Sequence, residues 1–460
     1  MTQPRPHHQN ASPAFHSVQE RSRDLSQIDL NAEFRHAINL IEQHNPCLFL
    51  TGKAGTGKST LLHYVRETTK RATAVLAPTG VAALNVGGQT IHSFFQFPPT
   101  LIDPGSIRKR KNAKLLQKLE TLIIDEVSMV RADVMDGIDT ALRLHRDKIR
   151  TPFGGVQVIL CGDLFQLPPI VRDAEMKTFF DEQYGGPYFF RAKVFEELNP
   201  YSVELTTIYR QRDEDFIYVL NKIRENDVDA ELLGLLNARV QPGQAGQDGR
   251  DDSSFITLTT TNQAAFRKNQ ACLERITARS YTYPASVSGV FDEAIFPTEE
   301  LLELKRGAQV MLIRNDPMKR WVNGSIGRVS TLTDKKVWVE IRGTAYELEA
   351  ETWKNIRYRY NRETNRIEEE EVGSFTQYPL RLAWAITIHK SQGQTFDQVR
   401  IDLGRGAFAH GQTYVALSRC TSLEGIVFNR PVTHRDMVFD ERVYDCSRVF
   451  PPAPLTSPGR

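Results

Sequence analysis

The sequence has no long hydrophobic run and no large excess of charge of either sign. Its apolar stretches, such as Cys47–Leu50, are far shorter than the ~20 residues that a membrane-spanning helix needs, and residues 1–10 lack the apolar core of a secretory signal. The 58 basic and 56 acidic side chains leave a net charge of +2, whereas a nucleic-acid-binding domain is usually strongly basic. We therefore expect a globular protein that does not enter a membrane, and any nucleic-acid site has to be found in local motifs.

Cysteines are also scarce. The five are Cys47, Cys161, Cys272, Cys420 and Cys446, an odd number with no CxxC pair. This pattern argues against a disulfide scaffold or a zinc module and favours reduced thiols in the cytosol. The 40% hydrophobic and 25% charged residues are those of an ordinary globular chain, and 460 residues suffice for about two to four domains.

Short β-rich segments alternate with stretches long enough for helices, which is the pattern of a parallel α/β sheet. The first set is Cys47–Thr51, Thr73–Ala77, Thr121–Asp125, Val156–Cys161 and Tyr201–Leu205, and the second set is Phe255–Thr259, Leu382–Thr387 and Gln398–Leu403. Within the second set, residues 305–372 show alternating strands joined by turns, which predicts a small inserted antiparallel barrel. We expect the acidic run Glu368–Glu371 to be a solvated loop, and residues 1–28 and 448–460 to be flexible tails.

The strongest single motif is the segment Gly52–Ser59, which follows the predicted strand Cys47–Thr51 and precedes an amphipathic stretch. It has the phosphate-binding pattern in the strand–loop–helix context that this pattern requires. Its glycines let backbone N–H groups close around phosphate oxygens, Lys58 would neutralise β/γ-phosphate charge, and the Ser59 hydroxyl would ligate Mg²⁺. The expected nucleotide contacts are Gly52, Ala54, Gly55, Thr56, Gly57, Lys58, Ser59 and Thr60.

Two further strands end in polar residues. Thr121–Ile124 is followed by Asp125, which can hold Mg²⁺ through its water shell, and by Glu126, which can polarise an attacking water. Because hydrolysis needs a base for water, this pair favours an ATPase over a small-molecule kinase. In the segment Gly162–Pro169, Gln166 is placed to sense a γ-phosphate, although a proline-terminated structural loop explains that segment equally well.

The order of the motifs closely resembles that of the Pif family of DNA helicases, which belong to superfamily one, branch B, and are related to the RecD helicases. The matching segments are Gly52–Ser59, Ala77–Ala83, Thr90–Phe95, Ile124–Glu126, Gly162–Pro169, Tyr209–Gln211, Thr387–Gly393 and Tyr414–Arg419. Asp136–Asp139, with Leu142, Arg143 and Arg146, looks like the family's signature helix. The resemblance covers roughly residues 31–445.

The resemblance implies an α/β fold with two RecA-like P-loop NTPase domains and a small antiparallel SH3-like β-barrel inserted in the second. Residues 29–205 would form the first domain, with a small wedge element at about 97–118, and residues 206–304 and 373–447 the two parts of the second, with the barrel at 305–372. The basic stretch Arg108–Lys111 falls at the wedge. A solvated basic helix face is an equally good interpretation of that stretch.

The resemblance also implies that ATP binds between the two domains, with Mg²⁺ on Ser59 and Asp125. Arg210 and Arg419 match the family's arginines from across the cleft, where a guanidinium that spreads γ-phosphate charge is worth about 10³–10⁵-fold in rate. The expected catalytic set is Lys58, Glu126, Gln166, Arg210 and Arg419. The implied DNA contacts are Thr79, Gly80, Thr90, His92, Ser93 and Phe95 on the first domain and Thr387, His389 and Lys390 on the second. Of Phe94 and Phe95, we expect one to be core and Phe95 to lie nearer to the DNA.

The sequence departs from the family's pattern at the adenine site. Many superfamily-one helicases read adenine with a glutamine before the phosphate loop, and Phe34 stands at that position here. ATP is the expected nucleotide, and acceptance of other nucleoside triphosphates stays open.

Together these features predict an ATP-dependent helicase that moves along single-stranded DNA and unwinds duplexes, or G-quadruplexes, in replication, recombination or repair, with telomere maintenance known in the family. The 5′-to-3′ polarity comes from the resemblance alone. The alternatives are a DNA-stimulated ATPase that remodels a recombination complex without unwinding alone, and a DNA-binding module with a decayed ATP site. The expected partners are single-stranded DNA and its junctions with duplex, with RNA as an open alternative. We expect a monomer in solution in a bacterial or phage-type cytoplasm.

Overall fold

The computed structural model describes residues 30–110, 113–171, 173–211, 213–241, 255–361 and 366–454. The predicted tail 1–28 lies outside these ranges, as do residues 455–460 of the predicted tail 448–460. The prediction of a flexible tail is wrong for residues 448–454, because Phe450 is 1% exposed in the core and the Ala453 N–H donates to the Ser202 carbonyl at 2.8 Å. The first part of the chain contains α1 (Ala32–Glu42), β1 (Cys47–Gly52), α2 (Lys58–Thr68), β2 (Thr73–Ala77), α3 (Gly80–Asn85), β3 (Gln89–Thr90), α4 (Ile91–Phe95), α5 (Lys114–Lys118), β4 (Thr121–Ile124), α6 (Ala132–His145), β5 (Gln157–Cys161), α7 (Ala174–Tyr184) and β6 (Tyr201–Leu205).

The rest of the chain carries most of the strands. In order they are α8 (Glu214–Arg224), α9 (Ala230–Asn237), β7 (Ile256–Thr259), α10 (Asn262–Arg275), β8 (Ser280–Pro284), β9 (Ser286–Gly289), β10 (Leu301–Lys305), β11 (Gln309–Leu312), β12 (Ile326–Leu332), β13 (Val337–Ile341), β14 (Thr344–Leu348), β15 (Glu351–Asn361), β16 (Arg366–Gln377), β17 (Leu380–Leu382), β18 (Ala385–Thr387), β19 (Val399–Asp402), α11 (Gln412–Leu417), β20 (Ile426–Phe428) and α12 (Cys446–Val449).

A six-stranded parallel sheet in the order β3-β2-β4-β5-β1-β6 is built from the first part of the chain, which we refer to as the first domain. Strands β4 and β5 are buried along their whole length, as expected for strands covered by helices on both faces of a sheet. The five strands predicted for this part are confirmed to within one residue at each end. All their carboxyl ends lie at one edge of the sheet, where ligands bind in open α/β folds.

A four-stranded parallel sheet in the order β18-β7-β19-β20 forms the second domain. Two predicted strands, β7 and β19, are confirmed. The single strand predicted at Leu382–Thr387 is two strands instead, because β17 pairs with the antiparallel strand β11 while β18 joins the parallel sheet beside β7. The parallel α/β core that the sequence predicts is therefore present twice.

Antiparallel strands separate the two halves of the second domain. One sheet has five strands in the order β14-β13-β12-β11-β17, a second has the order β15-β16-β9, and β8 pairs with β10. Antiparallel pairing begins at Ser280 and ends at Leu382, so it extends on both sides of the predicted 305–372 segment.

The acidic run Glu368–Glu371 was expected to be a loop, and that expectation is wrong. The run lies inside strand β16 of a long hairpin, directly opposite Ile356–Arg359 of β15. Lys354 and Arg359 form ion pairs with Glu371 and Glu370 at 3.4 Å each. Cross-strand pairing of opposite charges makes an acidic run compatible with a strand.

The same hairpin docks on the first domain. Tyr358 is only 5% exposed and belongs to the core of the first domain, where its hydroxyl accepts a hydrogen bond from the Val75 N–H at 3.2 Å. Nearby, Arg66 of α2 and Glu369 of β16 form an ion pair at 2.7 Å. The antiparallel region thus lies against both parallel sheets.

The signature helix identified by resemblance is α6, and its polar residues hold the first domain together. Asp136 accepts a hydrogen bond from the Val194 N–H at 3.1 Å, and Asp139 accepts one from the Phe153 N–H and pairs with Arg143 at 2.7 Å. Arg146 donates to the carbonyls of Leu116, Gln117, Leu119 and Gly154. These contacts give the helix a structural role.

The described part of the basic stretch Arg108–Lys111 is not helical. It approaches the end of α6, where Lys109 pairs with Asp147 and the Arg110 N–H donates to His145 at 3.0 Å.

Within the described residues no helix is long and apolar enough to cross a membrane.

Candidate active site

The phosphate loop connects β1 to α2 at the carboxyl edge of the first sheet. Gly55 and Gly57 have φ angles of +85° and +84°, which residues with a Cβ rarely adopt. A Cβ at Gly55 would also lie 2.5 Å from Cβ of Arg210. The Lys58 ammonium donates to the carbonyls of Gly52 and Lys53 at 2.7 and 2.9 Å. The loop is therefore preformed, and Lys58 lies against its carbonyl groups.

The first turn of α2 presents polar groups at the open end of this loop. Ser59 is exposed and Thr60 is half-buried. The first amides of a helix have no intrahelical acceptor, so they are available to a phosphate. Of the predicted nucleotide contacts, Gly55, Gly57, Lys58 and Thr60 are half-buried and Ser59 is exposed, whereas Gly52, Ala54 and Thr56 are buried.

The predicted carboxylate pair follows β4 on the same edge. Asp125 is 7% exposed and accepts a hydrogen bond from the Glu126 N–H at 2.9 Å. Glu126 has a φ of +49°, which turns its side chain out of the strand direction. Burial, and then the charge of Asp125, raises the pKa of Glu126, while Lys58 and Arg419 oppose that rise. A carboxylate with a raised pKa is a stronger base for activating water.

The metal-binding pair predicted from the sequence fits Mg²⁺. The Ser59 hydroxyl and the Asp125 carboxylate are both oxygen donors, which Mg²⁺ prefers. Mg²⁺ is usually held by one or two protein oxygens together with substrate phosphates and water. The described residues contain no separate cluster of three or more metal-ligating side chains.

The two predicted arginines meet beside the phosphate loop. The Tyr209 N–H donates to the Gly55 carbonyl at 2.9 Å, which brings Arg210 against the loop, and Arg210 donates to the Ser418 carbonyl at 3.3 Å. Arg419 follows α11, is 2% exposed, and donates to the carbonyl of Val415 and the hydroxyl of Ser418 at 3.0 and 2.8 Å.

The charge of Glu126 acts on both arginines. Burial, followed by repulsion from Arg210, lowers the pKa of Arg419 to about 9, and Glu126 counteracts the decrease. Glu126 also acts on the pKa of Arg210, which burial lowers. Lys58, Glu126, Arg210 and Arg419 therefore lie near one another beside the phosphate loop.

Gln166 lies in the loop after β5. It is 7% exposed and donates to Asp163 Oδ2 at 3.2 Å. Asp163 is 1% exposed and faces the second domain, where Arg224 and Tyr414 are its partners at 3.3 and 3.5 Å.

Sequence reasoning did not identify this buried network. Tyr414 begins the motif Tyr414–Arg419, and Asp163 lies in the motif Gly162–Pro169. No local pattern in either motif indicates that the two side chains contact each other. The Tyr414 hydroxyl also accepts a hydrogen bond from the Ala54 N–H of the phosphate loop at 3.2 Å. His410 adds a further contact between the domains, to the carbonyl of Leu164 at 2.9 Å.

Phe34, which occupies the position of the adenine-reading glutamine, is a core residue. It is 2% exposed and packs beneath the phosphate loop, with its ring edge 3.0 Å from the place where a Cβ on Gly57 would lie. Asn31 caps α1 by accepting from the Phe34 N–H at 2.8 Å and donates to the Tyr209 hydroxyl at 3.2 Å. Tyr209 is 47% exposed on this side of the loop.

The predicted DNA contacts of the first domain follow β2 and β3. Thr79 and Thr90 cap α3 and α4 by accepting from the amides of Ala82 and Ser93 at 3.2 Å each. His92 is half-buried, and Ser93 is exposed. Gly80 is covered, because a Cβ there would lie 2.1 Å from Cγ2 of Ile295 in the antiparallel region.

The prediction that Phe95 lies near the nucleic acid is wrong for this structure. Phe95 is 0% exposed and stacks on Phe97, with ring centroids 5.3 Å apart. Phe94 is also buried, at 5% exposure, and contacts Phe95 and Tyr358. Both rings belong to the core of the first domain, so neither offers a face to a base.

The predicted contacts of the second domain lie at the end of β18. Thr387 is buried and accepts a hydrogen bond from the Lys390 N–H at 3.2 Å. His389 is half-buried and Lys390 is exposed. Burial lowers the pKa of His389. Lys390 is thus the predicted contact of this group that is most available to a phosphate.

Comparisons with known proteins agree with this geometry. A family model described as PIF1-like helicase matches residues 29–232. The Mus musculus protein named ATP-dependent DNA helicase PIF1 is 34% identical over 423 residues, covering 88% of this chain and 59% of its own length. The Bdellovibrio bacteriovorus protein named ATP-dependent DNA helicase Pif1 is 33% identical over 416 residues, covering 87% of this chain and 88% of its own length. The chain spans less than two thirds of the mammalian relatives that it matches.

Solved structures extend the comparison. Bacteroides sp Pif1 in complex with ADP-AlF4 has 39% identity and a TM-score of 0.84, with 92% of this chain and 97% of that chain covered. Bacteroides Pif1 bound to ssDNA has 40% identity and the same coverage, with a TM-score of 0.65. Of these two structures, the complex with ADP-AlF4 has the higher TM-score.

Proposed function

This chain belongs to the PIF1-like helicase family, and on that premise we propose that it is an ATP-dependent DNA helicase that moves 5′ to 3′ along single-stranded DNA. The observation that carries the proposal is the convergence of Arg210 and Arg419 on a phosphate loop that already has Lys58 and Glu126 beside it. A cleft with these four groups suits hydrolysis of a nucleoside triphosphate between two domains.

Each group has a definite task in this proposal. The amides of the phosphate loop and Lys58 bind the β- and γ-phosphates, and Glu126 accepts a proton from the attacking water. Ser59 and Asp125 would hold Mg²⁺, which supplies charge neutralisation on the phosphate oxygens. Arg210 and Arg419 stabilise the charge that develops on the γ-phosphoryl group.

Hydrolysis is coupled to movement through the arrangement of the sheets. Thr79, Thr90 and Lys390 lie after strands of the two parallel sheets, at the edges that also form the cleft. Closing the cleft brings the arginines into place and shifts the two sets of DNA-facing residues relative to each other. Alternating closure and opening would then advance the strand.

DNA loading requires a rearrangement in this proposal. Ile295 covers Gly80, and the TM-score to ssDNA-bound Bacteroides Pif1 is lower than that to the complex with ADP-AlF4. We infer that the antiparallel region, including an SH3-like barrel built on β11–β14, moves away from α3 when single-stranded DNA binds.

Strand displacement tests the proposal and separates it from a remodelling ATPase. Wild-type protein with ATP and Mg²⁺ should displace a strand from a duplex with a 5′ single-stranded overhang and leave a 3′-overhang duplex intact, and Lys58→Ala should displace neither. DNA-stimulated ATP hydrolysis without displacement would favour the remodelling ATPase. The same assay with RNA, hybrid and G-quadruplex substrates tests substrate range, and with other nucleoside triphosphates it tests the effect of Phe34.

A further inference from the structure

A buried polar network ties the phosphate loop to the second domain, and the chemistry proposed above does not account for it. Tyr414, on α11, is 3% exposed, and its hydroxyl accepts a hydrogen bond from the Ala54 N–H at 3.2 Å. The same hydroxyl lies 3.5 Å from Asp163 Oδ2, to which it donates a long hydrogen bond. One phenol thus connects two loops of the first domain.

The carboxylate in this network depends on the second domain for its neutralisation. Asp163 is 1% exposed and pairs with Arg224 of α8 at 3.3 Å. The Arg224 guanidinium is 6% exposed and lies 4.0 Å from the ring centroid of Phe165. A buried charge that loses its partner is costly, so separation of the domains at this point is opposed by the network.

Apolar contacts also join the phosphate loop to the second domain. Ala54 and Leu167 are at most 6% exposed and belong to the hydrophobic core that is built mainly from the second domain, including Tyr414 itself. The tip of the phosphate loop is therefore embedded in the second domain rather than only facing it.

The helix that carries Tyr414 also positions Arg210 and Arg419. Arg419 follows α11 and bonds to the carbonyl of Val415, within that helix, while Arg210 bonds to the carbonyl of Ser418 at its end. Anchoring α11 to the amide of Ala54 fixes the distance between this pair of guanidinium groups and the phosphate loop.

We propose that Tyr414 is a positioning residue that, by bonding to Ala54 and Asp163, holds α11 at the phosphate loop so that Arg210 and Arg419 reach the γ-phosphate. The inference rests on the proposed ATPase function and deepens it. Tyr414 touches neither phosphate nor water in this scheme. It acts through the helix that places the arginines, and binding of ATP to the loop itself does not require it.

The test is the variant Tyr414→Phe, which keeps the ring in the core and removes only the hydroxyl. A net hydrogen bond is worth a few-fold to about tenfold in an equilibrium, so kcat for ATP hydrolysis with saturating single-stranded DNA should fall by roughly three- to tenfold. The Kd for a fluorescent ATP analogue should stay within about twofold of wild type, because the loop amides and Lys58 are retained.

Tyr444→Phe is the matched control. The Tyr444 hydroxyl donates to the Glu225 carbonyl at 3.1 Å, and its ring lies 5.8 Å from that of Phe165, but it makes no contact with the phosphate loop. This variant should keep wild-type kcat and Kd. The melting temperatures of both variants should be close to that of the wild type.

Other outcomes overturn the inference. Wild-type kcat in Tyr414→Phe would show that the hydroxyl is not needed, and a joint loss of kcat, ATP affinity and thermal stability would reduce Tyr414 to a structural residue. An equal loss of kcat in Tyr444→Phe would show that any hydroxyl at this interface has the same effect. If wild-type protein hydrolyses no ATP in the same experiment, it is the proposed function that fails.

Discussion

Arg419→Lys is the substitution that examines the cleft most closely, because it keeps a positive charge and removes the guanidinium. Arg419 is 2% exposed and held by bonds to the Val415 carbonyl and the Ser418 hydroxyl. A lysine ammonium is a single point charge on a flexible stem and cannot reproduce the planar fork. Its pKa would also be lowered by burial beside Arg210.

The expected magnitude follows from that geometry. Arginines that contact the γ-phosphate contribute about 10³–10⁵-fold in rate. The lysine ammonium carries the same charge at a different position, so it should recover only a small part of this rate enhancement. We therefore expect kcat to fall by roughly 10²–10³-fold in Arg419→Lys, which corresponds to about 3–4 kcal/mol of transition-state stabilisation. The Kd for ATP should change little, since Arg419 lies on the second domain and acts after closure.

Steady-state hydrolysis with saturating ATP and single-stranded DNA measures the effect, and Arg342→Lys is the control. Arg342 is 82% exposed and pairs with Asp397 at 3.3 Å, so its replacement should leave kcat unchanged. A kcat for Arg419→Lys within about threefold of wild type would refute the role assigned to the guanidinium, because an effect that small is within reach of one ordinary hydrogen bond.

The remaining predictions concern other residues of the cleft and the DNA surface. Lys58→Ala should abolish ATP hydrolysis while single-stranded DNA binding, measured by fluorescence anisotropy, stays near wild type; full ATPase activity would exclude its assigned role. Glu126→Gln should still bind ATP but turn over about 10²–10⁴ times more slowly, and near-normal turnover would contradict its role as the base. Phe95→Ala should lower the free energy of unfolding in urea by about 3–5 kcal/mol; unchanged stability together with weakened DNA binding would show that Phe95 contacts DNA and does not belong to the core. Lys390→Ala should weaken single-stranded DNA binding and reduce the slope of log K against log salt by about 0.7, and an unchanged slope would remove it from the phosphate contacts.

The parallel strands and the phosphate loop could be predicted because their signals are local. Cys47–Gly52 is apolar, is followed by the glycine pattern, and leads into an amphipathic helix, all within about two dozen residues. The Asp125-Glu126 pair is similar, since an apolar strand followed by carboxylates at the carboxyl edge of a parallel sheet has few other interpretations.

The wrong predictions concern two kinds of residue. Some contact partners that are distant in the sequence, and others carry a charge that is unusual in a strand. Glu368–Glu371 has no alternation of apolar and polar residues, and its place in a strand depends on the basic residues of β15, such as Arg359. The burial of Phe94 could not be read from its own segment, because Phe94 contacts Tyr358, which lies more than two hundred residues away in the sequence. Phe95 is buried beside it, so neither ring could be assigned to the surface by helical periodicity.

The Tyr414 network could not be predicted for a related reason. Its members belong to separate motifs, and each has an ordinary explanation within its own segment. Only the packing of α11 on the phosphate loop brings the Tyr414 hydroxyl to the Ala54 amide. Function-related contacts between domains are in this respect harder to read from a sequence than the motifs that contribute to them.

If the two domains together hydrolyse ATP under the control of bound single-stranded DNA, the hydrolysis rate has to depend on that DNA. The rate of ATP hydrolysis by wild-type protein, measured as single-stranded DNA is titrated, tests this dependence. We expect a low basal rate that rises with DNA to a plateau. A substantial rate that does not respond to DNA, or no hydrolysis at any DNA concentration, would contradict it.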